Sequence, residues 1–114
     1  LRARVHEEYT GPAGVSLAVT ENGAAYADVV SADGAVHDDD RVAFLEAHLN
    51  AILDAIDEGV PVGAYFYWSL MDNFEWAWGY DKRFGIVRVD YDTQERTLKD
   101  SAIAYHRIIT GREL

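Results

Sequence analysis

Apolar residues gather in two continuous runs and two periodic stretches, separated by polar loops. Val15 to Thr20 (VSLAVT) and Val62 to Leu70 (VGAYFYWSL) are largely apolar and rich in β-branched or aromatic side chains, which predicts two strands buried on both faces. Between them, Val42, Leu45, Leu49, Ile52, Leu53 and Ile56 recur at helical spacing and predict a helix with one apolar stripe. Asp38, Asp39 and Asp40 place negative charge at its N-terminus, where free amides and the helix dipole favour it. Gly59 and Pro61 end it. Thr97 with Asp100 resembles a capping box and opens a last helix to Thr110, with Ile103, Tyr105, Ile108 and Ile109 as its buried residues. Arg2 to Tyr9 reads as the tail of a helix broken by Gly11-Pro12 and Gly14, and Phe84 to Tyr91 as short extended structure.

The order is helix tail, strand, helix, strand, helix. Strands that alternate with helices predict an α/β fold with a parallel sheet. Two strands alone leave open edges and one uncovered face, so the pattern predicts part of a larger βα array. Residues 1–114 fit within one domain, and an apolar content of 49% supplies a core. The start, LRARVHEEY, has no initiator Met and no apolar signal core, and reads as the middle of something.

Charge and composition then remove whole classes of function. A net charge of −10 repels nucleic acid and anionic lipid, so neither is an expected partner. Most of the acid reads as solvated surface. The absence of cysteine excludes disulfides, thiolate nucleophiles and zinc–thiolate sites, and fits a reducing compartment; a cytoplasmic location is expected. No apolar run reaches membrane-spanning length. The histidines His6, His37, His48 and His106 are scattered without paired ligand spacing, and the Asp38–Asp40 triplet lacks calcium-loop spacing; helix capping accounts for it better. No metal and no cofactor are expected.

Two stretches follow the predicted strands directly, where parallel α/β proteins bind ligands. They are Thr20-Glu21-Asn22-Gly23 and Trp68 to Trp76 (WSLMDNFEW). On the residues alone each has a plainer reading. Glu21 is then an acid before an Asn-Gly turn, Glu75 a solvated loop acid beside Trp76, Trp68 a core residue at a strand end, and Phe84 a hairpin core residue.

Together, in order, LAVTENGAA (Leu17–Ala25) and YFYWSLMDNFEWAWGYDKRFGIVRVDY (Tyr65–Tyr91) resemble the nucleophile signature, last barrel strand and following loop of glycoside hydrolase family one. DSAIAYHRII resembles its final helix, so the resemblance covers nearly the whole chain. One departure is Ala18, where the family usually has a larger apolar residue, at a position expected to face the packing side. The resemblance implies the C-terminal part of a (β/α)8 TIM barrel, its last two βα units, with the rest of the barrel upstream. It implies a retaining β-glucosidase acting on small β-glucosides or cello-oligosaccharides, in the breakdown of cellulose. Glu21 is then the nucleophile. Trp68 is the platform under the sugar ring, Glu75 and Trp76 bind the glycone hydroxyls, and Phe84 forms a pocket wall near C6. A cis bond between Trp68 and Ser69 is expected on the same ground. Trp78 is expected mainly to pack, and Asn22 to orient its loop.

The acid/base partner of such an enzyme lies in an Asn-Glu-Pro motif, which this sequence does not contain. Within the family, the phospho-enzymes generally replace the Glu-Trp pair, so its retention implies unphosphorylated β-glucosides. An acceptor reaching both O4 and O6 also tolerates axial O4, so galactoside or fucoside side activity is expected. Two alternatives stand beside the enzyme: a non-catalytic sugar-binding relative of the same family, and a structural α/β module without a pocket.

Overall fold

A computed structural model describes residues 2–111. The N-terminal segment is helical from Arg2 through Ala13 in three pieces: α1 (Arg2–Val5), a widened turn (His6–Thr10) and α2 (Gly11–Ala13). The predicted break at Gly11-Pro12 is therefore corrected. Pro12 follows the widened turn directly, in the first turn of α2, and Gly14 at φ 67° ends the segment.

Strand β1 (Leu17–Asn22) pairs in parallel with β2 (Val62–Tyr67), with Ala18 opposite Ala64 and Asn22 opposite Tyr67. The crossover between them contains α3 (Asp39–Asp57), so the three elements make one βαβ unit. Helix α3 stops where Gly59 adopts φ 93°, a backbone conformation that side chains disfavour, and Pro61 leads into β2. Beyond β2, β3 (Val87–Val89) and β4 (Arg96–Leu98) form an antiparallel pair. Helix α4 (Asp100–Ile109) follows. Thr97 belongs to β4, opposite Arg88, and so does not cap α4.

The core lies on one side of the parallel pair. Leu45, Leu49 and Ile52 of α3 pack with Val19, Val62, Tyr65 and Tyr67 of the strands and with Tyr105 and Ile108 of α4. Within the described residues, only one face of the two strands is covered. Ala18, Thr20 and Phe66 alternate with the covered residues and are exposed on the other face. Ala18 lies on the face away from α3 and α4. The helical stripes are also narrower than their sequence pattern. Leu53, Ile56, Ile103 and Ile109 are exposed, while Arg41 on α3 is fully buried.

Candidate functional site

Parallel pairing puts the carboxyl ends of β1 and β2 at the same edge of the molecule. Glu21 is the penultimate residue of β1, and Trp68 directly follows β2. Their backbones are joined there: the Trp68 N–H donates to the Asn22 carbonyl at 3.0 Å. The Tyr65 hydroxyl donates to the Asn22 side-chain oxygen at 2.9 Å, which fixes the turn that carries Glu21. The Asn22 side chain is thus anchored to the neighbouring strand. Gly23 then passes directly against the Trp68 carbonyl, closer than any side chain permits. Glu21 and Trp68 are both exposed to solvent, Trp68 to 39%.

The peptide between Trp68 and Ser69 is cis, as the resemblance implied. The Ser69 N–H donates to the Phe84 carbonyl at 3.3 Å, and the Ile86 N–H to the Ser69 carbonyl at 3.0 Å. Phe84, half-buried, is therefore held beside the same strand end. Glu75 and Trp76 lie on a separate tight turn. The Glu75 N–H donates to the Gly79 carbonyl at 2.7 Å, and the Trp78 N–H to the Glu75 carbonyl at 2.8 Å. Trp76 adopts φ 43°, a left-handed conformation unusual for a bulky residue. Trp76 is 85% exposed and Glu75 is half-buried. Among the described residues no hydrogen bond ties this turn to Glu21 or Trp68. Trp78, expected to pack, is exposed, with the Lys82 ammonium 5.3 Å from its ring centroid. At the end of β2, burial pushes the Tyr67 hydroxyl up to about 12; Arg41 opposes that shift and Asp38 adds to it.

Behind these loops lies a charged network whose role the sequence pattern did not reveal. Lys99 is fully buried. Its Nζ donates to Asp28 Oδ2 at 2.5 Å, Asp72 Oδ1 at 2.9 Å and the Gly85 carbonyl at 2.6 Å, which uses all three ammonium protons. Arg41 donates to both oxygens of Asp28, at 2.9 and 3.0 Å, to the Arg83 carbonyl at 2.9 Å, and to Asp38. Arg83 donates to Asp72 Oδ2 at 2.5 Å. Asp28, Asp38 and Asp72 thus face Arg41, Arg83 and Lys99, and the charges balance. Balance matters because an unpaired buried charge costs several kcal/mol, on the order of 3–5.

Asp38 is the largest correction to the acidic triplet. It stands at the N-cap position of α3, yet its carboxylate caps no amide of that helix. It accepts instead from the Ser101 N–H at 2.8 Å and the Ser101 hydroxyl at 2.5 Å, and so caps α4 across the molecule. The side chains of Asp28, Asp38 and Asp72 are thus interior, unlike most of the acid, which reads as solvated surface. One signal pointed to the network: Arg41 sits four residues before Leu45 on the apolar stripe of α3, where a charge needs a partner.

The fold and this placement define an α/β protein whose polar and aromatic side chains gather at the carboxyl ends of parallel strands. The model of glycosyl hydrolase family 1 matches residues 1–114, and the chain belongs to that family. It is 54% identical over 111 residues to β-glucosidase A of Thermotoga maritima, covering 97% of this chain and 24% of that protein. It is 46% identical over 97 residues to a 6-phospho-β-galactosidase of Staphylococcus aureus strain JH9, covering 84% of this chain and 21% of that one. The solved structure of the Thermotoga maritima β-glucosidase in complex with noeuromycin superposes with a TM-score of 0.91, at 54% identity, over 97% of this chain and 25% of that one. The chain therefore spans about a quarter of the length of the relatives it matches.

Proposed function

We propose that this chain is the C-terminal part of a (β/α)8-barrel β-glucosidase and supplies its last two βα units. The protein then hydrolyses terminal non-reducing β-D-glucosyl residues with retention of configuration, in the cytoplasm, on small β-glucosides or cello-oligosaccharides. One observation carries this reading: in a chain of glycosyl hydrolase family 1, Glu21 and Trp68 leave two hydrogen-bonded parallel strands at the same end.

Chemistry explains each residue type. The Glu21 carboxylate attacks the anomeric carbon and forms a glycosyl ester as the C–O bond to the leaving group breaks. A second carboxyl, roughly 5–5.5 Å away in retaining enzymes, protonates the departing oxygen and then takes a proton from the water that cleaves the ester. That carboxyl belongs to an Asn-Glu-Pro segment outside these residues. Trp68 offers a broad apolar face to the C–H face of the sugar. Glu75 accepts from O4 and O6, the Trp76 indole N–H donates to a neighbouring hydroxyl, and Phe84 walls the C6 side. A carboxylate near O6 repels a phosphate dianion, so the unphosphorylated glucoside is preferred. No step requires a cofactor.

A barrel of this kind takes roughly 250 residues, and the isolated segment is expected to show no useful turnover. The test is mechanism-based labelling of the protein with its complete barrel. A 2-deoxy-2-fluoro-β-glucoside is expected to add one glycosyl group to Glu21, located by peptide mass mapping. Turnover with the label on another residue overturns the assignment. A protein that binds glucose but neither turns over nor takes the label is the non-catalytic relative instead.

A further inference from the structure

Lys99 lies outside every sequence motif that carries the sugar chemistry, at the start of α4. Yet its ammonium is a further point where the two site-bearing loops meet, beyond the backbone bonds from Trp68 to Asn22 and from Tyr26 to Arg83. Asp28 is on the loop that leaves Glu21, seven residues on. Asp72 lies four residues after Trp68 and three before Glu75. No hydrogen bond joins the Asp28 and Asp72 side chains directly among the described residues; Lys99 Nζ bonds to both, at 2.5 and 2.9 Å. The third Nζ bond, to the Gly85 carbonyl, lies beside Phe84. Arg41 braces the same assembly from the other side, through Asp28 and the Arg83 carbonyl.

We propose that Lys99 is a positioning residue that sets the spacing between the Glu21 loop and the Trp68–Glu75 loop. The inference rests on the assignment of those residues to the sugar site. Lys99 touches no substrate and exchanges no proton. It acts by holding two carboxylates a fixed distance apart, in a buried place where no water competes for them. A flexible surface lysine would lack that constraint; one with all three donors fixed has it. An ångström of misplacement at a reacting centre costs on the order of a hundredfold in rate.

Two variants of the complete protein test this. Lys99→Met removes the link but unbalances the network. Lys99→Met with Asp28→Asn removes one cation and one anion and keeps it neutral. Active sites are counted by labelling to completion with the 2-deoxy-2-fluoro-β-glucoside, and kcat on 4-nitrophenyl β-D-glucoside is expressed per labelled site. The expected result is a fall in kcat per site of about a hundredfold in the double variant, with KM changed far less. A purely structural role lowers the number of labelled sites and leaves kcat per site unchanged, which overturns the proposal. So does failure of both variants to give any labelled site, which makes the network a folding scaffold only. A parent protein that does not turn over the glucoside removes the site reading itself, and this proposal with it.

Discussion

The carbonyl oxygen of Trp68 lies 1.7 Å from where a Cβ on Gly23 would stand. Gly23 is therefore required for contact between the turn after Glu21 and the backbone of Trp68. Gly23→Ala is expected to push the two strand ends apart. Overpacking of this kind costs about 1–3 kcal/mol of stability, and on the proposed assignment the misplacement of Glu21 relative to Trp68 costs on the order of a hundredfold in kcat. A thermal melt and steady-state kinetics on the complete protein measure the two effects. Unchanged values for both contradict the close contact.

Asp38 holds Arg41 and the first turn of α4 at once. Asp38→Ala leaves a buried guanidinium short of one anion and is expected to destabilise by about 3–5 kcal/mol. Ser101→Ala removes one hydroxyl donor and keeps the ion pairs, so a smaller loss of about 1.5–3 kcal/mol is expected. Urea midpoints at constant slope report the order of the two. A larger loss for Ser101→Ala contradicts it.

His37 gives the chain a pH dependence of known sign. Its ring bonds Asp100 Oδ2 at 2.7 Å and Asp33 Oδ2 at 3.2 Å. The hydrogen bond to Asp100, and then that to Asp33, hold its pKa above the ordinary imidazole value. The protonated ring is therefore favoured in the folded state. Its contribution is fully present below about pH 6.5, the ordinary imidazole value, and is lost as pH rises through the raised pKa. His37→Gln is expected to remove that part of the decline in melting temperature, leaving a flatter profile above neutral pH. The site is exposed, so the effect is small. A parent and variant with parallel profiles exclude it.

On the proposed assignment, Glu75 sets which sugar is taken. Glu75→Gln keeps the shape and loses one charge-assisted interaction worth about 1.5–3 kcal/mol, so kcat/KM on a β-glucoside is expected to fall roughly ten- to a hundredfold. The parent is expected to prefer 4-nitrophenyl β-D-glucoside over its 6-phosphate by roughly a hundredfold or more, because like charges at an interface cost several kcal/mol. The 46% identity to a 6-phospho-β-galactosidase makes this comparison decisive. A preference for the phosphate reassigns the substrate class.

The strands, the crossover helix and the last helix were legible in the sequence because apolar periodicity is a local signal. The exposed faces were not. Ala18 and Phe66 lie in runs that read as buried on both sides, yet helices cover only one side here. Leu53 and Ile56 extend the apolar stripe of α3 past the residues the core uses. Glu21 and Trp68 stand in motifs the sequence singles out, and the hydrogen bond from Trp68 to Asn22 puts both at the same strand ends. The ion network was not legible, because its pairs lie 3 to 71 positions apart and only the fold brings the distant ones together. Asp38 shows the mechanism of the error: an acid before a helix looks like that helix's cap, and here a different helix takes it.

The charge balance of the interior also governs how the molecule responds to salt. Three cations and three acids face each other inside, which leaves seven cations against seventeen acids for the rest of the chain. Those outer acids repel one another, whereas the enclosed pairs are little affected by mobile ions. Raising the ionic strength from about 0.01 to about 0.1 M shortens the Debye length from roughly 30 to roughly 10 Å. The surface repulsion fades over that range while the enclosed pairs persist. Although ion pairs tie its loops together, this segment should become firmer in salt.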